Sequence, residues 1–381
     1  YLGNTLKFDG LQIGSFFATM GIASLFMPAV MGIIADRWIP AQRLLGLCHL
    51  FAAGFITLAA TRTDYNSLYT LVLLSVMFYM PTIALSNSVA YNALEKAGLD
   101  TVTHFPPIRV WGTVGFICAM WVVDLGKMGL SATQLYFSAT LGLILGLYSF
   151  TLPNCPINRS GGGKSIVDLL GLRAFALFKQ RKMAIFFIFS MLLGMSLQIT
   201  NAFADGYIKS FGDTGIHGAK YLGTFGVEHS TILISLSQIS ETLCILLIPF
   251  FLKRFGIKRV MLIAMFAWVL RFALLGAGNP GPGVWMFILS MIVYGVAFDF
   301  FNISGSLFVE KETSAAIRSS AQGVFMIMTN GLGALIGSYL AGWIVNHYGW
   351  PLSWYLFAGF SLVVAIVFAV IFKYKHDPNR I

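Results

Sequence analysis

The chain has 381 residues, of which 57% are hydrophobic and 10% charged, with a mean hydropathy of +0.79. Soluble domains carry about 25% charged residues, so this chain cannot cover itself with a polar surface, and lipid must solvate most of it. The formal charge of +10 invites a nucleic-acid reading, which the placement of the charges excludes.

Apolar runs of about 20 residues recur along the whole length, as an α-helix needs to cross a bilayer. They lack the alternation of barrel strands, and a helix satisfies its own backbone hydrogen bonds in lipid. The fold class is all-α polytopic membrane protein. The predicted spans cover residues 12–35, 43–61, 68–92, 107–126, 131–152, 183–204, 230–252, 259–277, 284–308, 317–345 and 352–372. With residue 1 outside, inner segments and inner span ends hold 19 Lys and Arg residues. Outer segments hold five, and Arg271 lies within a span. This bias fixes orientation by the positive-inside rule, so the basic excess is a topology signal. An outer start with no signal peptide implies one further span ahead of "YLGNTLKFDG", and the predicted helices are counted one to twelve with that span as the first. The scattered cysteines Cys48, Cys118, Cys155 and Cys244 suggest neither a disulfide framework nor a metal site.

In chain order, the first polar signal is the turn "GIIADRWIPAQR", with Gly32, Asp36, Arg37 and Arg43. It resembles the Gly-x-x-x-Asp-Arg loop motif of the major facilitator superfamily, with Ile39 where a glycine is usual, and implies a conformational gating loop. His49, in the third helix, is expected to be a helix-contact residue. The run "FPPIRVWGTVGF" places Arg109, Thr113 and Phe116 on one face, with Pro106 and Pro107 fitting a helix start. Arg109 either snorkels to the headgroups or faces a site. Residues 153–182 form the longest inner polar segment. Its "PNCPINRSGGGK" reads as a flexible linker, and Ile166, Val167, Leu170, Ala174, Leu177 and Phe178 share a face of an expected interfacial helix. The segment divides the chain into an N-terminal bundle, 1–152, and a C-terminal bundle, 183–381, which become six and six helices once the missing span is counted.

Ionisable and amide side chains within spans are costly and therefore functional candidates. In "LQITNAFAD", Gln198, Asn201 and Asp205 form one stripe. In "ILISLSQISETLCILLIPFF", Gln238 and Glu241 share a face that Ser237 extends outward. Such amides either glue neighbouring helices together or present donors and acceptors to a planar heterocycle; matched pairs on two helices favour a site. The turn "PFFLKRFGIKR" repeats the earlier basic turn, keeping Gly256 but placing Lys253 in the acidic position. Arg271, toward the outer end of its span, is expected to snorkel or to pair with an acid. In "MIVYGVAFDFFNISGS", Tyr294, Phe298 and Asn302 share a face, for stacking on a ring or for packing. Asp299 beside them either pairs with a cation or carries a proton at neutral pH.

The runs "FPPIRVWGTVGF", "MAIFFIFSMLLG", "LQITN", "SQISETL", "MIVYGVAFDFFNISGS" and "SAQGVFMIMTNG" resemble the nucleoside:proton symporters of the major facilitator superfamily, over Thr5 to Asp377. The resemblance implies a major facilitator fold of two pseudo-symmetric six-helix bundles, with eleven spans present here. It implies nucleoside contacts at Arg109, Thr113, Phe116, Gln198, Asn201, Gln238, Glu241, Tyr294 and Phe298. The expected activity is proton-coupled nucleoside uptake by alternating access across a bacterial cytoplasmic membrane. Glu241 is the first proton carrier and Asp299 the second. The expected partners are the nucleoside, protons and lipid, with no nucleic acid, and the state is a monomer. No cofactor, metal or catalytic residue is expected: the chain shows no metal-ligand cluster, no Ser/His/Asp set and no phosphate loop, so an enzyme is excluded. The alternative is a transporter of the same fold for another small polar solute, a sugar or a drug.

Overall fold

In the computed structural model, residues 1–99, 101–157, 172–313 and 318–374 are described, and among them the chain is helical, with no strand. The helices are α1 Gly10–Arg37, α2 Ala41–Ala60, α3 Tyr65–Lys96, α4 Thr101–Leu125, α5 Thr133–Ser149 and α6 Arg181–Ser210. A 48-residue stretch, Ser230–Ala277, breaks at Gly256 (φ 75°, ψ 166°), and its arms, 230–255 and 257–277, are α7 and α8. Next comes α9 Val284–Glu312. The following helix, α10, runs from Arg318–Met326 through a π-helical segment Ile327–Gly333 to Ala334–Tyr348, and α11 is Trp350–Ile371.

Eight stretches among the described residues are long and apolar enough to cross a membrane, with Ser230–Ala277 counted once. The expectation of eleven spans differs because Ser230–Ala277 holds two of them, the apolar part of α4 is only Val110–Leu125, and α5 has 17 residues. Helix α4 begins at Thr101, ahead of Pro106 and Pro107, so the prolines do not mark its start. Residues 165–171 of the expected interfacial helix lie outside the described residues, and its continuation, Leu172–Lys179, is a 3-10 helix. Local chemistry sets other boundaries. Asp9 and Gln12 form a reciprocal capping box at the start of α1 (Gln12 N–H to Asp9 Oδ1 2.7 Å). Asp64 caps α3 by accepting from the Ser67 N–H at 2.8 Å.

The buried hydrophobic cores fall on either side of the segment after α5. One cluster, from Leu177 to Phe372, joins α6 to α11 through Phe186, Phe308, Phe325, Trp268, Phe272 and Trp354. Two smaller clusters lie before it, around Leu44, Leu45, Leu85 and Val89, and around Phe16, Ala59 and Leu68. The start of the intervening segment is pinned to α2. Gln42 Nε2 donates to Asn154 Oδ1 (2.6 Å), and its Oε1 accepts from the Cys155 N–H (2.9 Å).

The two sides meet at one end of the molecule, the outer end by the charge distribution. Helix α1 lies backbone to backbone on α10. A Cβ on Gly10 would stand 2.7 Å from Asn346 Oδ1, and one on Gly21 would stand 2.6 Å from the Leu335 nitrogen. The Gly10 N–H donates to Asn346 Oδ1 at 2.6 Å. Near the inner end of α1, a Cβ on Gly32 would meet nothing within 4 Å. Helices α4 and α7 meet through Trp121 Nε1, which donates to Ser235 Oγ (2.9 Å), and through Asp124 Oδ2 and His229 Nδ1, 2.6 Å apart.

The break at Gly256 needs a backbone conformation that only glycine adopts without strain, worth roughly 1–3 kcal/mol. Gly256→Ala is expected to lower the melting temperature of the detergent-purified protein by several degrees. An unchanged melting curve by tryptophan fluorescence would show that the turn tolerates a Cβ.

Candidate functional site

The expected ligand residues lie on four helices, α4, α6, α7 and α9. On α4, Phe116 stands five residues before Trp121, and on α7, Gln238 stands three after Ser235. The Trp121–Ser235 hydrogen bond therefore sets Phe116 and Gln238 at similar depth. Phe116 is 54% exposed within the protein, and Thr113, one turn below it, is half-buried. Arg109 belongs to α4, but its side chain lies outside the described residues, as do those of Asp36 and Arg37.

On α6, Asn201 is exposed while Gln198 is buried, and Gln198 Nε2 has no hydrogen-bond partner. Asp205 leaves the expected stripe. Its Oδ1 accepts from Ser230 Oγ (2.6 Å) and Thr231 Oγ1 (3.2 Å), and its Oδ2 pairs with Lys209 (2.9 Å). It therefore ties α6 to the start of α7. Ser237 also leaves its row, because its hydroxyl donates to Met291 Sδ on α9 (3.1 Å). Gln238 and Glu241 remain half-buried on the same face of α7.

On α9, Tyr294 is buried and Phe298 partly so, and the rings stack on each other with centroids 5.8 Å apart and planes 16° apart. Glu241 lies within electrostatic reach of both Tyr294 and Asp299. Asp299 is buried, and its Oδ2 has no hydrogen-bond partner. Phe298 and Asn302 line a small cavity with Leu197, Trp268 and Thr329. A larger cavity of about 630 Å³ lies toward the inner ends of α7 and α9, lined by Ile245, Ile248, Pro249, Leu252, Lys253, Ile303 and Leu307. Most of that lining is apolar.

Arg271 departs from the expectation of snorkelling or of pairing with an acid. It is fully buried; its Nε and Nη2 donate to Thr200 Oγ1 (3.1 and 2.9 Å) and its Nη1 to the Ser290 carbonyl (2.6 Å). Its guanidinium carbon stands 4.7 Å from the centroid of the Tyr294 ring. The helix bundle closes around its side chain, so it cannot reach the headgroups. The expected gating loop is also placed differently: Gly32, Asp36 and Arg37 lie in the last turns of α1, and the turn itself is only Trp38–Pro40. His49 is a buried helix contact, edge-on to Tyr79 with ring centroids 6.5 Å apart. The residues that sequence reasoning missed are Asp124, His229, Thr200 and Ser290. Their pairings join different helices, and no local spacing signals them.

Long apolar helices with polar side chains set among them fit a transporter of the major facilitator type. Its fold is shared by solved transporters of much lower identity, including a POT family transporter (17% identity, TM-score 0.65, covering 97% of this chain and 90% of that one). Another is the Escherichia coli xylose transporter XylE (11% identity, TM-score 0.63, covering 94% and 88%). The chain belongs to the nucleoside H+ symporter family, whose family model matches residues 1–377. It is 51% identical to nucleoside permease NupG of Escherichia coli K12 over 99% of this chain and 91% of that protein. It is 50% identical to the xanthosine permease of the same organism, over 100% and 92%. A crystal structure of nucleoside transporter NupG superposes with a TM-score of 0.90 at 51% identity, covering 98% and 93%; that of a point mutant reaches 0.94 at 50% identity, covering 98% and 94%.

A buried polar oxygen without a partner costs about 1–3 kcal/mol. Asp299→Ala, which removes that oxygen, is expected to raise the melting temperature of the purified protein. A drop of several degrees would mean that Asp299 holds the fold together.

Proposed function

We propose that this chain takes up nucleosides together with protons by alternating access, as a multi-pass protein of the bacterial cytoplasmic membrane. The observation that carries this reading is half-identity along nearly its whole length to a nucleoside permease and to a xanthosine permease. The amides and aromatic rings of α4, α6, α7 and α9 suit such a solute. A nucleoside offers a flat base with donor and acceptor edges and a sugar rich in hydroxyls. Gln198, Asn201 and Gln238 read base edges or hydroxyls, while Phe116, Tyr294 and Phe298 supply ring faces and Thr113 a hydroxyl. Glu241 and Arg109 bind the sugar. Pairing of this kind is selective, because a wrong solute leaves buried groups unsatisfied.

The moving parts are two helix bundles, residues 1–152 and 183–381, joined by 153–182 and together holding eleven of the spans. The separate cores on either side of the linker support this division. In this reading the state described above faces inward. The last turns of α1, with Gly32, Asp36 and Arg37, then form part of the inner closure once the bundles rock the other way. Glu241 is the first proton carrier and Asp299 the second, and the working unit is a monomer.

The test is uptake of tritiated uridine into cells expressing the full-length protein. An uncoupler should abolish accumulation; accumulation that persists unchanged would remove the proton from the scheme. Glu241→Gln should abolish concentrative uptake while sparing exchange. Unlabelled adenosine, uridine and xanthosine should compete, and competition by sugars instead would favour another solute.

A further inference from the structure

Arg271 is the most completely buried cation among the described residues, and nothing in the proposed transport scheme uses it. Placing a guanidinium in the membrane interior is costly, and a tie between helices does not need a charge, since an amide or hydroxyl would serve. Its donors nonetheless have three separate destinations. Two reach Thr200 Oγ1 on α6, beside Asn201 and two residues from Gln198. One reaches the Ser290 carbonyl on α9 (2.6 Å), and the Ser290 hydroxyl donates back to the Arg271 carbonyl (3.1 Å). The same Nη1 lies 3.7 Å from Met291 Sδ, the atom that accepts from Ser237 on α7.

What requires the charge and the planar shape is the Tyr294 ring. The guanidinium lies 4.7 Å from its centroid, Trp268 meets it edge-on at 6.0 Å, and Phe298 stacks parallel at 5.8 Å. Cation–π attraction is strongest where water is excluded, and a lysine ammonium lacks the planar fork that makes the other contacts at the same time. Glu241 and Asp299 interact electrostatically with this same tyrosine.

We propose that Arg271 is a positioning residue for nucleoside binding, which fixes the Tyr294–Phe298 ring pair and registers α6 and α9 beneath it. The proposal rests on the nucleoside reading above. Arg271 does not touch the solute; it acts through Tyr294, and that makes it separable from a residue that merely stabilises the fold.

The experiment measures equilibrium binding of tritiated uridine and adenosine to the purified full-length protein, in a double-mutant cycle of Arg271→Lys and Tyr294→Leu. Arg271→Lys alone should weaken binding about tenfold. In the Tyr294→Leu background it should weaken binding less than twofold, because the ring it positions is gone. Additive losses in the double variant, or unchanged affinity for Arg271→Lys, would overturn the proposal. Where Arg271→Lys is not monodisperse, Thr200→Val takes its place in the cycle, since it keeps the charge and removes the acceptor. The same non-additive pattern is expected, and an additive or absent effect overturns the proposal. Unaltered protein that binds no nucleoside would overturn the functional reading and this proposal with it. Normal wild-type binding with unaffected variants would overturn the positioning role alone.

Discussion

In hydrocarbon there is no water to satisfy a polar side chain, so each one must find its partner within the protein or keep a place for a solute. The polar residues of this chain separate on that constraint. Arg271, Asp205, Ser237 and Gln42 have their hydrogen bonds filled by other helices or by the linker. Gln198 Nε2 and Asp299 Oδ2 do not, and Asn201 is exposed. The first set holds the helices in register. In the proposed scheme the second set, on α6 and α9, is the chemistry left for a solute, together with the half-buried Gln238 and Glu241 of α7.

Charge is concentrated in the same place. Glu241, Asp299 and Arg271 all act electrostatically on Tyr294. In the proposed scheme a proton and a nucleoside entering this zone change each other's binding through neighbouring groups on α7 and α9. A residue that fixes the ring also fixes the geometry through which that coupling runs.

Much of this was legible in the sequence, and the limits are instructive. The helical spans and the two basic turns follow from local composition, and so does the glycine break, because Gly256 sits between charged residues where a chain must reverse. The pairing of Tyr294 with Phe298 follows from a spacing of four. Stripe membership misled where partners decide it: Asp205 and Ser237 lie on the expected periodicity, yet each bonds to a neighbouring helix. Arg271 was misplaced for the same reason, since Thr200 and Ser290 stand 71 and 19 residues away from it, and a lone arginine near a span end ordinarily snorkels. The prolines at 106 and 107 suggested a helix start by propensity, whereas α4 begins at Thr101. Long-range pairing, not propensity, accounts for these differences.

The way the two sides are closed also bears on how they open. Among the described residues, no buried hydrophobic cluster crosses from one side to the other, and from the first side only Ile13 and Phe17 of α1 pack against the larger core. The outer seam instead includes glycine backbone against backbone, Gly10 and Gly21 of α1 against α10, a Tyr69–Tyr339 hydrogen bond, one indole hydrogen bond and the Asp124–His229 pair. Contacts between small residues gain their stability from close fit and bring little apolar area with them. Separating them exposes polar groups that water can satisfy at the membrane surface, and the interior of either bundle stays packed. A seam of interlocked leucines would have held one state too firmly for a cycle. This seam confines the energetic difference between closed and open to a few short contacts, and differences of that size can be shifted by the binding of a proton and a small solute.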